Sequence, residues 1–150
     1  MGILMQLYTP EILRLATRVR YESPLELPYH EASGRSRVCG SHMDVRVRFE
    51  GNKISAVSWS YSLCATGQAC LGLLSGHVLG LTIYELTCLY EGMQTMLKTG
   101  EVTFDPHFED FAVLKPAHSV PSRHGSIMLP FECLLRAFHS YLDSQHLVEH

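Results

Sequence analysis

The chain has 150 residues, 46% of them hydrophobic and 18% charged, the composition of one packed domain rather than a multidomain machine or a charged disordered tail. Its 12 basic and 15 acidic residues leave a formal charge of -3, so there is no cationic field for counterion release onto nucleic acid. No run of about 18 apolar residues occurs, and residues 1–13 lack a basic start and a small-residue cleavage site, so a cytoplasmic protein with no membrane association is expected, one domain over residues 1–150.

Thr9-Pro10-Glu11 supplies an N-cap oxygen, a proline at the first helical position and an acid in the first turn, and predicts a short helix with Ile12, Leu13, Leu15, Ala16 and Val19 on one side. Residues 23–37, broken by Pro24, Pro28 and Gly34, read as a surface loop. From Asp44 the period changes to two. Val45, Val47 and Phe49 alternate with Arg46, Arg48 and Glu50, as a strand with one wet face requires. Gly51-Asn52 is a two-residue hairpin signal, and Val57, Trp59, Tyr61 and Leu63 carry the alternation back to Cys64. Residues 37–40 are expected as a third, shorter edge strand ending at Cys39-Gly40.

The second half is helical in character. Thr66 is expected to cap a segment to about Leu79, with Gly67, Gly72 and Gly76 permitting close approach of a neighbour. Thr82 and Glu85 have capping-box spacing, which opens a helix to about Lys98 that Gly100 stops. Asp105-Pro106 predicts a shorter helix to about Leu114, and Pro130 a final one bearing Phe131, Leu134, Leu135, Phe138 and Leu142. Strands first and helices after predict an α+β fold: a three-stranded antiparallel sheet with helices packed mainly on one face.

Five cysteines, Cys39, Cys64, Cys70, Cys88 and Cys133, are an odd set in a chain with no export signal, and reduced thiols are expected. Three groups stand at element ends: Cys39 before a glycine, Cys64 at a strand-to-helix turn, and His124 in the Ser122-Arg123-His124-Gly125 loop. A helix start beside Cys64 favours thiolate, and thiolates with an imidazole suit iron or zinc. The 25-residue gap between Cys39 and Cys64 is no CxxC knuckle, and a free cysteine is as readily a small buried hydrophobe. Cys88 and Cys133 read as core or near-core. Cys70 reads as a buried residue or as a spare ligand. The chain has no GxGxxG after a strand, no phosphate-binding glycine loop, no HExxH and no GxSxG elbow. A Cys64–His124 nucleophile pair lacks an obvious orienting acid, so no enzymatic turnover is expected.

Taken together, Leu7-Tyr8 with Ile12-Leu13, Val38-Cys39-Gly40, the strand pair over residues 44–61 with its Gly-Asn hairpin, Cys64 with its small-residue helix, and Arg123-His124 before a last helix resemble the U-type iron–sulfur cluster assembly scaffolds, the IscU-like and NifU-like family. The likeness runs over nearly the whole chain. It implies a scaffold on which a [2Fe–2S] cluster is assembled with sulfur from a cysteine desulfurase and passed to acceptor apoproteins. Carried over by position, the family's ligands fall on Cys39, Cys64 and His124. Its third cysteine falls on Gly125, its aspartate on Ser41, and its chaperone-recruitment stretch near Leu114-Lys115-Pro116-Ala117.

A [2Fe–2S] cluster takes four protein ligands, so two thiolates and one imidazole leave a position for Cys70, a partner, a second copy or solvent. The oligomeric state is left open. Iron, zinc or a labile [2Fe–2S] cluster are the expected cargoes. The competing expectation is a ligand-depleted relative that works as a protein-interaction or regulatory module in the same pathway.

Overall fold

In the computed structural model, residues 7–38 and 40–148 are described. The expected helix forms as α1, Pro10–Ala16, with the Thr9 hydroxyl accepting from the Ile12 amide at 3.2 Å. Three antiparallel strands follow, β1 His30–Arg35, β2 His42–Glu50 and β3 Lys53–Ser62, in the order β1-β2-β3. Val45 pairs with Trp59 and Val47 with Val57. These four are buried, while Asp44 and Ser60 point to the other, wet face.

The edge strand differs from the expectation at residues 37–40. It runs earlier, over β1; of the expected span Cys39 lies outside the described residues, and beyond β1 Ser36 N–H donates to the Ser41 carbonyl at 2.8 Å and Gly40 N–H to the Ser36 carbonyl at 3.1 Å. Gly40 has φ +70°, the left-handed conformation that favours glycine. β1 escapes a hydrophobic reading because its core-facing residues include Ala32 and Gly34. Their smallness lets a helix lie directly on the strand: a Cβ on Gly34 would come 2.8 Å from Leu129 Cδ1 and 3.0 Å from Cys133 Sγ.

After β3 come α2, Ala65–Ser75, and α3, Ile83–Thr99. Cys64, not Thr66, is the N-cap of α2, and the helix stops at Ser75 with Gly76 as C-cap, short of Leu79. The capping box of α3 forms as the spacing predicts, with Glu85 N–H donating to Thr82 Oγ1 and Thr82 N–H to Glu85 Oε1, both at 3.1 Å. Gly100 ends α3 at φ +79°. Residues from Pro106 form a longer 3₁₀ segment than expected, Pro106–Ser119, kinked at Phe108. The 3₁₀ turn Pro121–Arg123 leads directly into α4, His124–Val148.

The last helix therefore starts at His124, six residues before Pro130, and His124 sits on its first turn rather than in a loop. Pro130 is accommodated inside α4, where it removes the N–H that would reach back to the Ser126 carbonyl.

Helix α4 lies across β1 and β2 and packs on α2 and α3. Arg136 donates to the Ser33 carbonyl on β1 at 2.7 Å, and Tyr141 O–H donates to the Gly51 carbonyl at the hairpin tip at 2.7 Å. Phe49 meets Phe138 at 4.4 Å and Tyr141 at 4.5 Å between ring centroids. The core fills the space between this helix face and the sheet, with Phe111, Phe131 and Phe138 its largest fully buried side chains.

Cys133 is buried there as expected. Cys88 is a correction: it is exposed, because α3 turns Leu86 and Leu89 inward and leaves the intervening positions 87 and 88 toward its outer side. Among the described residues no helix is long and apolar enough to cross a membrane.

Helix α1 crosses α2 at Gly72, where a Cβ would overlap the Leu15 backbone carbonyl. Backbone there cannot swing aside, so Gly72→Ala is expected to lower stability by about 1–3 kcal/mol even though alanine is the better helix former. Thr82→Ala, which removes a cap without a clash, should cost about 1 kcal/mol. Denaturant melts of the two variants check the order.

Candidate functional site

A thiol at a helix start sees the unpaired amides of the first turn and the positive end of the helix dipole. Cys64 occupies that position on α2, half-buried, with φ -68° and ψ 168°. Its sulfur lies 3.1 Å from the Thr66 hydroxyl. Burial by itself pushes the thiol up. Hydrogen bonds from the Ser126 and Thr66 hydroxyls and the Gly67 amide, together with the Arg123 charge, outweigh it and hold Cys64 below the ordinary thiol range.

Cys70, one and a half turns further along α2, is fully buried, and burial drives its thiol far up. Cys133 is pushed up to about 11, chiefly by burial. Cys70 thus belongs to the core and offers no accessible ligand.

The partners of Cys64 come from α4. Ser126, on its first turn, is buried and accepts a hydrogen bond from Ser41 Oγ at 3.1 Å. It also stands so close to Gly67 that a Cβ there would overlap its hydroxyl oxygen. One residue earlier, a Cβ on Gly125 would overlap the hydroxyl of Ser36. Ser36, Ser41 and the start of α2 are therefore gathered on the first turn of α4.

His124 opens that turn. Its Nε2 lies 2.7 Å from the Ala117 carbonyl, which can only accept, so Nε2 carries the proton and Nδ1 is left with a lone pair able to bind a metal. Arg123, just before it, has its Nε buried with no hydrogen-bond partner among the described residues.

Of the three residues expected to form a site, Cys64 and His124 are thus carried to one end of α4 by different elements. Cys39 lies outside the described residues. Among the described residues no group of three or more His, Cys, Asp or Glu side chains is arranged to hold a metal ion.

The stretch at residues 114–117 is folded into the 3₁₀ segment, with Leu114 and Ala117 buried in the core. The sequence marks Thr66 only as a helix cap and does not mark Ser36 or Ser126, because hydroxyls carry no spacing signature. The only hint was the glycine pair Gly67 and Gly125, each of which leaves room for one of these serines.

No protein-family model matches the chain, and no curated protein sequence does. Solved structures do. The N-terminal part of a nitrogen-fixing NifU-like protein from Brucella abortus is similar over 92% of this chain and 96% of that one, with a TM-score of 0.86 and 25% identity. A protein described as an iron–sulfur cluster assembly scaffold for the SUF system, from the thermophile Fervidobacterium islandicum AW-1, is similar over 91% of this chain and 99% of that one, with a TM-score of 0.78 and 22% identity. The α+β fold is the one that these two structures share with this chain.

Since the folded-state thiol of Cys64 lies below its unfolded value, thiolate formation adds stability as pH rises from the folded toward the unfolded pKa. That contribution is lost as pH falls back through the folded one. Ser126→Ala should raise the thiol and slow alkylation of Cys64 by iodoacetamide at neutral pH by up to about tenfold. Peptide mass spectrometry reads this residue by residue, with Cys70 unlabelled in the native protein.

Proposed function

We propose, on the premise that this chain is a divergent member of the U-type iron–sulfur scaffold family, that it holds iron or zinc, or a labile [2Fe–2S] cluster, through Cys39, Cys64 and His124 and passes it on without turnover chemistry of its own. The observation that carries this reading is the gathering of three separate segments on the first turn of α4. Ser126 is hydrogen-bonded to Cys64 and Ser41, and Ser36 is against Gly125. Ser36 and Ser41, which flank Cys39 in the sequence, make those contacts. Two thiolates and the Nδ1 of His124 would make a soft three-ligand set with one position open, suited to a metal that must later leave.

The chemistry of the supporting groups agrees with a cargo site. Hydroxyl and amide donors aimed at Cys64 favour its thiolate, the form that binds metal. The Ala117 carbonyl fixes the His124 ring in the tautomer a ligand needs. A cysteine desulfurase as sulfur source and apoproteins as acceptors fit the same role, as does a cytoplasmic setting that keeps the thiols reduced. The chain acts as one domain over residues 1–150 in this reading.

A second reading has its own support. Gly125 offers no side chain, and Ser36 fills the space beside it. Those features favour a ligand-depleted relative that docks on a desulfurase or on a true scaffold as an interaction or regulatory module.

Anaerobic reconstitution with iron, zinc or iron plus sulfide, followed by metal analysis and absorbance spectra, separates the two. The native protein is expected to retain metal and the Cys39→Ser/Cys64→Ser double variant to lose it. Ser126→Ala, which removes a supporting contact only, should weaken binding by about tenfold. Metal should leave as pH falls, because protons compete for the thiolates, and it should leave at higher pH in Ser126→Ala than in the native protein. If no form acquires metal above background, the cargo reading fails, and capture of a desulfurase in a pull-down would favour the second.

A further inference from the structure

The edge of a sheet presents a row of unpaired main-chain groups, which proteins cover, charge or pair. The two edges of this sheet are treated differently. Along β3, Trp59 N–H donates to the Tyr21 carbonyl at 3.0 Å, Ile54 N–H to the Leu81 carbonyl at 3.0 Å, and the Ile54 carbonyl accepts from Gly80 N–H at 2.8 Å. The chain itself closes that edge. Along β1, no main-chain group of another segment does so among the described residues.

Pairing parity fixes which groups of β1 look outward. Trp59 turns its N–H to Tyr21 and so away from β2, which makes Val45–Trp59 a non-hydrogen-bonded pair and directs the main-chain groups of Val45 to β1. Ala32, opposite Val45, is directed at β2 in return. Glu31, Ser33 and Arg35 alternate with it, so their N–H and C=O groups face outward. Their exposed side chains lie on the wet face, where the Ser33 hydroxyl donates to Asp44. The Ser33 carbonyl accepts from Arg136 Nη1 at 2.7 Å. That guanidinium arrives from the α4 side of the sheet, since Nη1 is 2.9 Å from a Cβ placed on Gly34. A carbonyl oxygen has a second lone pair, which leaves room for a donor in the plane of the sheet.

The charges on this row are self-complementary. A second copy laid antiparallel and centred on Ser33 sets Glu31 opposite Arg35 of that copy, and Arg35 opposite its Glu31. Registers that set Glu31 against Glu31, or Arg35 against Arg35, place like charges directly opposite and are disfavoured. Within one chain, Glu31 lies 3.7 Å from Arg46 Nε, and Arg35 has no ion pair among the described residues. A copy would give Arg35 its carboxylate. On the other face Ala32 would meet Gly34 of the copy, and both are too small to hold the strands apart.

We propose that the β1 edge binds a second copy of this chain, strand to strand and antiparallel about Ser33, so that two three-stranded sheets become one. Ser33 with Ser33, and Glu31 with Arg35 at either end, then exchange both N–H···O=C bonds, with the ion pairs alongside. The surface is short and polar, which makes the dimer weak and reversible. It stands whether or not the chain carries metal.

Sedimentation of the full chain over a concentration series is the test, with circular dichroism and melting to show that each variant is folded. The native protein is expected to dimerise with a dissociation constant of about 100 µM at low salt, and more weakly in about 0.5 M salt. Glu31→Arg and Arg35→Glu each set like charges opposite one another and should each weaken self-association by about tenfold or more. Mixed together, these two variants should pair with each other, because each supplies the charge the other lacks. Ser33→Pro removes an outward N–H and none that β2 uses, so it should abolish pairing in a folded chain.

A native chain that stays monomeric at about 1 mM leaves the edge to a strand of some other protein and overturns the proposal. A dimer that survives Ser33→Pro or both charge reversals also overturns it, since the copies then meet on another surface. Should Ser33→Pro fail to fold, the mixing experiment decides: absence of the mixed dimer sinks the proposed register.

Discussion

Where the first turn of α4 meets the first turn of α2, Ser126 and Gly67 touch with no room for one further carbon, and the surroundings of the half-buried thiol follow from that contact. Packing at interior density makes such a junction stiff, because neither side can shift without opening voids elsewhere. It sets the distance at which the Ser126 hydroxyl reaches Cys64, and the Ser41 hydroxyl ties the β1–β2 turn to the same place. The junction is held from outside by the long reach of α4, through Arg136 on β1 and Tyr141 on the hairpin. A local geometry of a few atoms is thus maintained by contacts far along the helix.

Three of the thiols show how much environment decides. Cys70 and Cys133 are buried, and desolvation of the charged form governs both. Cys64 is only half-buried, so desolvation is smaller, and three hydrogen-bond donors plus a guanidinium are enough to reverse its sign. Sequence neighbours do not distinguish these residues, since Cys64 and Cys70 sit six positions apart on one helix. What separates them is that one caps the helix and the other faces the core.

The legible parts of the sequence were those where one residue type has one physical use. A threonine three residues before a glutamate gave the cap of α3, Gly51-Asn52 gave the hairpin, and the period-two pattern gave β2 and β3 with their buried face. β1 was missed because its inward positions include Ala32 and Gly34, which are small in order to admit α4 and therefore carry no hydrophobic signal. The start of α4 was placed at Pro130, since proline is commonest in a first helical turn. Here the chain enters the helix through a 3₁₀ turn and tolerates the proline within its second turn. Cys64 and His124 were legible as element-end groups. The serines around them were not, because a hydroxyl becomes informative only once its neighbour is known.

The order of the elements along the chain has one more effect. Cys64 is made well before the serine that serves it, and Ser126 is held in position by contacts that α4 makes as far along as Tyr141. During synthesis, the sheet and α2 emerge from the ribosome while their covering helix is still unmade, and pairing over such sequence separations comes late in folding. A nascent chain, or one cut within α4, carries the sulfur without the hydroxyl that favours its ionised form. The topology therefore delays an electron-rich thiol until the whole polypeptide has closed around it.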